Sequence, residues 1–420
     1  MITAEQKDLV KATVPVLKEN GVALTDYFYK RMLKNNPELK ETFNMGHQRS
    51  GAQAQALAGA ILAYAENIDD PSVLAPVVEL ICHKHVSLNI QAPDYEIVGE
   101  NLLHSISEVL GIPMDDKLIS AWGAAYQQLA DLFIATEQAL YQQHENTPGS
   151  WLGWREFIVD KKVKESEEIT SFYLVAKDNQ PLPDYKPGQY ITVRLWVPEL
   201  GLKQPRQYSL SDSPSGKYLR ISVKREEARN AQQDAGYVSS TLHRVIDEGD
   251  SIEVSAPTGN FFLVNPDCDN VLISAGIGLT PMMAMLNQLV TDNTHPDTAP
   301  AAIGKSRELS RQISFIHAAR HPQVHAMRRQ VRALKDSYNN LHEYVAYESV
   351  DDSVELGKDY QMLGRLNLKA LPPQLLPRDA DYYLCGPIPF MQQQNAALIE
   401  LGIAPDRIHS EAFGTGGVNL

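Results

Sequence analysis

The sequence predicts three units in series: an all-helical block, a small antiparallel β-barrel, and an α/β unit built on a parallel sheet. Three observations carry this reading. Apolar residues recur at helical spacing from Glu5 to about Gln143, the apolar period drops to two from Glu156, and strands alternate with helices from Asn270 onward. At 420 residues the chain is also longer than one hydrophobic core, which stops growing near roughly 250 to 300 residues.

Composition narrows the class. With 43% hydrophobic and 21% charged residues, the chain is expected to be a soluble globular protein. A net charge of -14 repels phosphate backbones and anionic lipid, which argues against nucleic acid as a partner. The stretch Met1 to Asp8 lacks the basic and apolar runs of an export signal. The uncharged stretch Val271 to Val290 is long enough to suggest a membrane span, but two glycines and a proline within a six-residue turn fit a buried strand, a loop and a helix start better, so no stable membrane insertion is expected. Cys82, Cys268 and Cys385 are too scattered for a zinc site or an iron-sulfur cluster, and a cytoplasmic, disulfide-free protein is the default.

In the helical block the pattern breaks at Pro37, Pro71, Pro93 and Pro113, and the turn-forming run Asn146 to Ser150 marks a linker. The expected units are residues 1–138, a linker over 139–151, the barrel over 152–265 and the α/β unit over 270–420. The segments 156–160, 171–175 and 190–195 alternate as barrel strands do, with Lys186-Pro187-Gly188 as an intervening turn. Later strands fall at 271–274, 313–317 and 382–385, each leading to a helix, the second helix from about Gln323. The polar segment Thr291 to Arg311 reads as a surface loop.

Chemistry concentrates in short motifs. In Gly276-Ile277-Gly278-Leu279-Thr280-Pro281 the glycines permit a sharp turn after an apolar strand, and Pro281 suits the first turn of the next helix, whose amides can hold a pyrophosphate. Cys385-Gly386-Pro387 repeats the strand-to-loop arrangement, and both loops should lie at the carboxyl edge of one sheet. Arg206-Gln207-Tyr208-Ser209, at the start of a strand-like segment 207–211, brings together a cation, a ring and a hydroxyl. With Gly236-Tyr237-Val238-Ser239 and Pro257 to Phe262, this ordered set resembles the ferredoxin-NADP reductase family from about residue 152 onward. The resemblance implies FAD bound at Tyr190, Arg206, Gln207, Tyr208 and Ser209, and a nicotinamide dinucleotide across residues 276–281 and 385–387. It also implies that Phe413, in Glu411-Ala412-Phe413-Gly414-Thr415, covers the flavin.

The helical block holds two unusual polar residues. On a helix over roughly Pro71 to Ile90, His85 continues the apolar row Leu74, Val78, Ile81; His83, about 200° away, should face solvent. On a helix over about Lys117 to Gln142, Glu137 continues the row Tyr126, Leu129, Phe133, where a carboxylate needs a donor. A core histidine and a wet stripe edge are the plain readings; an iron-binding His85 whose second ring nitrogen donates to Glu137 joins the two.

Taken with Phe28, Tyr29, Phe43, Gln53 and Leu57, this block resembles a globin, and a globin followed by such a reductase is the layout of the bacterial flavohemoglobin family. The resemblance implies haem b held by His85, with Tyr95 and Glu137 behind it. On the opposite face it implies Tyr29 as hydrogen-bond donor, Gln53 and Leu57 lining the pocket, and Phe43 packed on the porphyrin. Lys84 and Glu411 match positions near the haem and flavin edges. Two departures are a longer loop over 291–311 and the absence of a proline after Phe413-Gly414.

The implied activity is that of a nitric oxide dioxygenase, with electrons from NAD(P)H passing through FAD to haem and nitric oxide and oxygen leaving as nitrate. The rival readings are a haem-linked NAD(P)H oxidase or alkylhydroperoxide reductase, and an oxygen or nitric oxide sensor or carrier. The expected partners are oxygen, nitric oxide and NAD(P)H. Arg320, after the second strand of the α/β unit, could meet a 2'-phosphate without deciding between NADH and NADPH. A monomer is the default, with oligomeric state and any lipid ligand left open.

Overall fold

Thr3 opens the first helix with a reciprocal capping box, its side chain accepting from the amide of Gln6 while Gln6 returns a bond to Thr3. The computed structural model describes residues 2–227, 235–292 and 311–414. Within these, the N-terminal unit consists of α1 (Ala4–Ala12), α2 (Val14–Asn35), α3 (Met45–Ser50), α4 (Ala52–Glu66), α5 (Ala75–Ser87), α6 (Ala92–Leu110) and α7 (Lys117–Asn146). Their apolar faces meet around Phe28, Met32, Tyr64, Leu102, Ile106 and Trp122.

Two boundaries differ from the sequence expectation. The helix expected from Pro71 is split into a 3-10 turn, Pro71–Leu74, and α5, because Pro76 lacks the N–H that would extend the helix backward and instead occupies its first turn. Helix α7 runs unbroken past residue 138, so the first part of the expected linker is helix; it stops only at Thr147, ahead of Pro148 and Gly149.

The middle unit is an antiparallel sheet of β1 (Arg155–Lys164), β2 (Ile169–Ala176), β3 (Tyr190–Val197), β4 (Leu202–Ser209), β5 (Leu219–Lys224) and β6 (Ser251–Val254), in the order β4-β3-β6-β1-β2-β5. Leu210, just beyond β4, bridges Ile221 in β5, so the outer strands meet and the sheet curls into a barrel. Helix α8 (Tyr237–Arg244) adds Val238 and Leu242 to its core. The strand expected to begin near Arg206 begins at Leu202, which puts the Arg206 to Ser209 motif at its end.

The third unit is a parallel sheet of β7 (Asn270–Ala275), β8 (Ile313–Ala319), β9 (Leu341–Tyr347), β10 (Met362–Leu363), β11 (Asp381–Gly386) and β12 (Ile408–Ala412), in the order β10-β9-β8-β7-β11-β12. Alternate residues of β7 enter two cores: Leu272 packs with Phe315 and Tyr383 on one face, Val271 and Ile273 with Ile316 and Tyr382 on the other. That two-sided burial explains the continuous apolar run at its start. Helices α9 (Leu279–Asp292), α10 (Arg328–Ser337) and α11 (Ile388–Glu400) cover these faces. The helix expected from about Gln323 is a 3-10 turn, Pro322–Val324, followed by α10. Among the described residues no single helix is long and apolar enough to cross a membrane. Apart from its ends, the 291–311 loop lies outside the described residues, as does Thr415.

Candidate functional site

α5, α6 and α7 converge on one hydrogen-bonded triad. His85 Nδ1 lies 2.7 Å from Glu137 Oε1 and 3.0 Å from the Tyr95 hydroxyl, and Tyr95 donates to the same carboxylate oxygen at 2.6 Å. Tyr95 is held in turn by Tyr126, whose hydroxyl donates to the Tyr95 carbonyl at 2.5 Å. Tyr126 can lie against α6 because residue 99 is glycine: a Cβ there would fall 2.5 Å from the Tyr126 ring. Burial, with Glu137 beside it, holds the Tyr95 phenol far above its ordinary range, so Tyr95 stays a donor.

The two sides of this histidine differ. Glu137 is almost fully enclosed at 3% side-chain exposure, whereas His85 retains 31%. With Nδ1 donating to a carboxylate, Nε2 is the neutral nitrogen left to bind a metal, which is the donor arrangement a haem iron takes from a protein.

Tyr29 and Phe43 come together, their rings edge to face with centroids 5.7 Å apart, and Phe28 packs on Tyr29 at 5.0 Å. Burial alone raises the Tyr29 phenol, so its hydroxyl is a buried donor. Leu57 packs on the same core. Gln53 accepts a hydrogen bond at Oε1 from Gln48 at 2.9 Å.

The barrel presents its polar groups at the junction with the helical unit. Tyr190 and Ser209 face each other across β3 and β4, and the hydroxyl of each is buried with no hydrogen-bond partner among the described residues. Buried polar atoms of this kind call for a ligand that supplies donors and acceptors, as a flavin and its ribityl chain do. Arg206 reaches across the junction, donating to Asn44 Oδ1 at 2.5 Å and to its neighbour's carbonyl, that of Pro205, at 2.5 Å; burial lowers its guanidinium to about 10. Gln207 donates to Thr192 at 3.2 Å, and Tyr208 packs on the barrel core. Lys84 donates to the Gly414 carbonyl at 3.1 Å. Phe413, in the segment that follows β12, is 39% exposed.

Two residues here gave no signal in the sequence, and a third was misplaced. Nδ1 of His47 is buried without a partner, and burial with the nearby Arg206 and Lys84 charges lowers its pKa. Asn44 caps α3 while accepting from Arg206. His83 is a correction: expected to face solvent, it is 8% exposed because the side of α5 opposite His85 packs on the barrel, where its Nδ1 lies 2.6 Å from Thr258 Oγ1.

The two glycine motifs meet at the carboxyl edge of β7 and β11. A Cβ on Gly278 would sit 2.3 Å from the Cys385 carbonyl oxygen and 2.7 Å from the Gly386 nitrogen, and Gly276 takes φ +55°. The close approach at Gly278 leaves no room for a Cβ, and residues 276–281 and 385–387 come together as one backbone turn that could hold a pyrophosphate. Thr280 closes its turn by donating to Ile277 at 3.0 Å. The Cys385 thiol is buried and pushed far up, which removes it from thiolate chemistry. Next to it, in register on β12, Glu411 has a buried oxygen without a partner among the described residues; burial pushes its carboxyl up to about 8 against the pull of Lys84.

Comparison with known proteins agrees with this division. Residues 26–133 match the globin family, 156–263 the oxidoreductase FAD-binding domain and 272–396 the oxidoreductase NAD-binding domain. The chain is 54% identical to a flavohemoprotein of Bordetella parapertussis over 420 residues, covering 100% of both chains. It is 52% identical to one of Chromobacterium violaceum, covering 99% of each. The crystal structure of the flavohemoglobin from Malassezia yamatoensis, with bound FAD and heme, superposes with a TM-score of 0.81 at 26% identity, over 98% of this chain and 100% of that one. The flavohem-like FAD/NAD-binding domain of nitric oxide dioxygenase from Vibrio cholerae matches 62% of this chain and 98% of its own length, with a TM-score of 0.53 and 36% identity. The chain therefore belongs to the flavohemoproteins, NAD(P)H-dependent oxidoreductases in which a haem-binding globin is joined to an FAD- and NAD-binding reductase.

Proposed function

We propose that this flavohemoprotein is a nitric oxide dioxygenase. The observation that carries the reading is the Glu137 carboxylate 2.7 Å from His85 Nδ1, in a chain that also holds its own reductase. When bound, haem supplies a centre for oxygen and for single electrons, and FAD converts the two-electron hydride of the nicotinamide into single electrons.

The chain's residues do the rest. Glu137 keeps the Nδ1 proton of His85 in a strong, charge-assisted bond, which makes the opposite nitrogen a more electron-rich ligand; that favours oxygen chemistry over reversible storage. Tyr95 holds Glu137 in place from a second direction. Tyr29 offers one buried hydroxyl in apolar surroundings, which suits small uncharged substrates needing a single donor. The cradle of residues 276–281 and 385–387 holds the dinucleotide, and Tyr190, Arg206 and Ser209 hold the flavin.

The reaction balances as nitric oxide plus oxygen plus one electron giving nitrate, so each NADH supports two turnovers. The Vibrio cholerae protein that the reductase half resembles is itself called a nitric oxide dioxygenase, which supports the reading. An electrode measurement of nitric oxide uptake tests it: uptake should require both NADH and oxygen and yield nitrate. Hydrogen peroxide as the main product, with nitric oxide left unconsumed, would move the assignment to an oxidase.

A further inference from the structure

We propose that His83 is a positioning residue for electron transfer, setting the helix that carries His85 in register with the barrel strand that carries Tyr190. The proposal rests on the reading above that FAD and haem occupy the barrel and helical units.

The argument begins with helix geometry. Residues two apart on a helix point about 200° apart. His85 faces Glu137 on α7, so His83 faces the barrel, and there its Nδ1 receives two donors: the Thr258 hydroxyl at 2.6 Å and the Gly259 amide at 3.1 Å. An amide N–H can only donate, so Nδ1 is an acceptor and the ring proton sits on Nε2.

The residues on the receiving side are specific. Thr258 pairs with Tyr190 through both backbone bonds, each 2.9 Å. Gly259 has φ +117°, and a Cβ there would fall 2.9 Å from the Tyr190 ring. The loop that His83 grips is thus the loop that packs on Tyr190. One turn further along α5, the Ser87 and Thr192 hydroxyls bond at 2.8 Å, and Gln207 of the Arg206 to Ser209 motif donates to Thr192. Residues 83 and 87 bracket His85 and fasten its helix to the barrel at two points, the 258–259 loop and Thr192 of β3. His83 makes the more exacting contact, because a single nitrogen satisfies two buried donors. Without it the Gly259 amide and Thr258 hydroxyl lose their acceptor, and the loop must move to find others.

The test compares the cofactor-loaded protein with three variants: His83→Leu, which keeps bulk without an acceptor; His83→Gln, whose amide oxygen can accept; and Thr258→Val, which removes one donor from the opposite side. Anaerobic mixing with NADH reads flavin bleaching and haem reduction separately, and hydrogen exchange reads the Gly259 amide. In His83→Leu, flavin bleaching should be unchanged, haem reduction should slow severalfold because electron tunnelling weakens as donor and acceptor move apart, and the Gly259 amide should exchange faster. His83→Gln should restore both. Wild-type haem reduction in His83→Leu, or equal slowing in the Leu and Gln variants, overturns the proposal. If His83→Leu fails to fold, Thr258→Val decides: slower haem reduction with flavin bleaching intact supports it, and an unchanged rate overturns it. Failure of the underlying reading shows earlier, as unmodified protein whose haem is not reduced after its flavin.

Discussion

Glu137 Oε1 accepts two hydrogen bonds at once, from His85 Nδ1 at 2.7 Å and from the Tyr95 hydroxyl at 2.6 Å. A buried carboxylate with two donors is satisfied, and removing its charge should be felt through His85. Glu137→Gln is expected to keep the fold and lower haem affinity or turnover by about 10- to 100-fold, the usual range for partners behind a metal ligand. Resonance Raman should show the iron–histidine stretch shifted to lower frequency. Tyr95→Phe removes one bond from the same oxygen and should cost about 1 kcal/mol in unfolding free energy.

His85→Ala should yield protein with FAD but without haem, because the two sets of binding residues sit in separately cored units. Pyridine haemochrome and flavin absorbance measure each content. Unchanged haem in that variant would remove His85 as the ligand.

Gly278→Ala places a methyl 2.3 Å from a backbone carbonyl that cannot yield without moving β11. The strain should cost about 1 to 3 kcal/mol in unfolding free energy. Because it opens the cradle, the KM for NADH should rise more than kcat falls. Thermal melting and steady-state kinetics read the two effects.

Arg320, the candidate for a 2'-phosphate, is paired with Glu168 of the barrel unit, and its carbonyl accepts from Ser349 at 2.9 Å. A guanidinium already neutralised attracts a phosphate less, so NADH should be preferred over NADPH. Glu168→Gln should raise kcat/KM for NADPH by up to about fivefold, the limit set by an exposed ion pair worth at most about 1 kcal/mol, and leave NADH unaffected.

Acid stability should depend on the α/β unit. Burial lowers the pKa of His317 to about 4 from 6.5, and His325, its ring 4.5 Å away, is held well below its ordinary value by burial first and then by the His317, Arg328 and Arg332 charges. Between those values the unfolded chain binds more protons than the folded one, so stability rises with pH across the window and is lost as pH falls from 6.5 toward 4. His317→Gln should flatten the dependence of melting temperature on pH there and leave it unchanged above neutrality.

The features legible in the sequence were those with a local cause. The period change near Glu156 marked the start of β1, and the glycines at 276 and 278 announced a cradle because their conformational freedom is used on the spot. His85 and Glu137 stood out because each interrupts an apolar stripe, and an interrupted stripe implies a partner. What the sequence hid was set by packing between units. His83 lies where helix geometry placed it, but the surface opposite it belongs to a loop 175 residues away. Asn44 and His47 carry no periodic signal: Asn44 meets Arg206 of the barrel, and His47 lies in the short helix that Asn44 caps. The short turn before α5 is set by Pro76, which the apolar row through Leu74 does not reveal.

The most direct test of the central claim is a single-turnover measurement: protein reduced anaerobically with NADH, then mixed with oxygen and nitric oxide while haem absorbance and nitrate are followed. The account predicts stoichiometric nitrate, two per NADH consumed, with prompt return of the oxidised haem spectrum. A persistent oxygen-bound spectrum with little nitrate, or peroxide in its place, would contradict it.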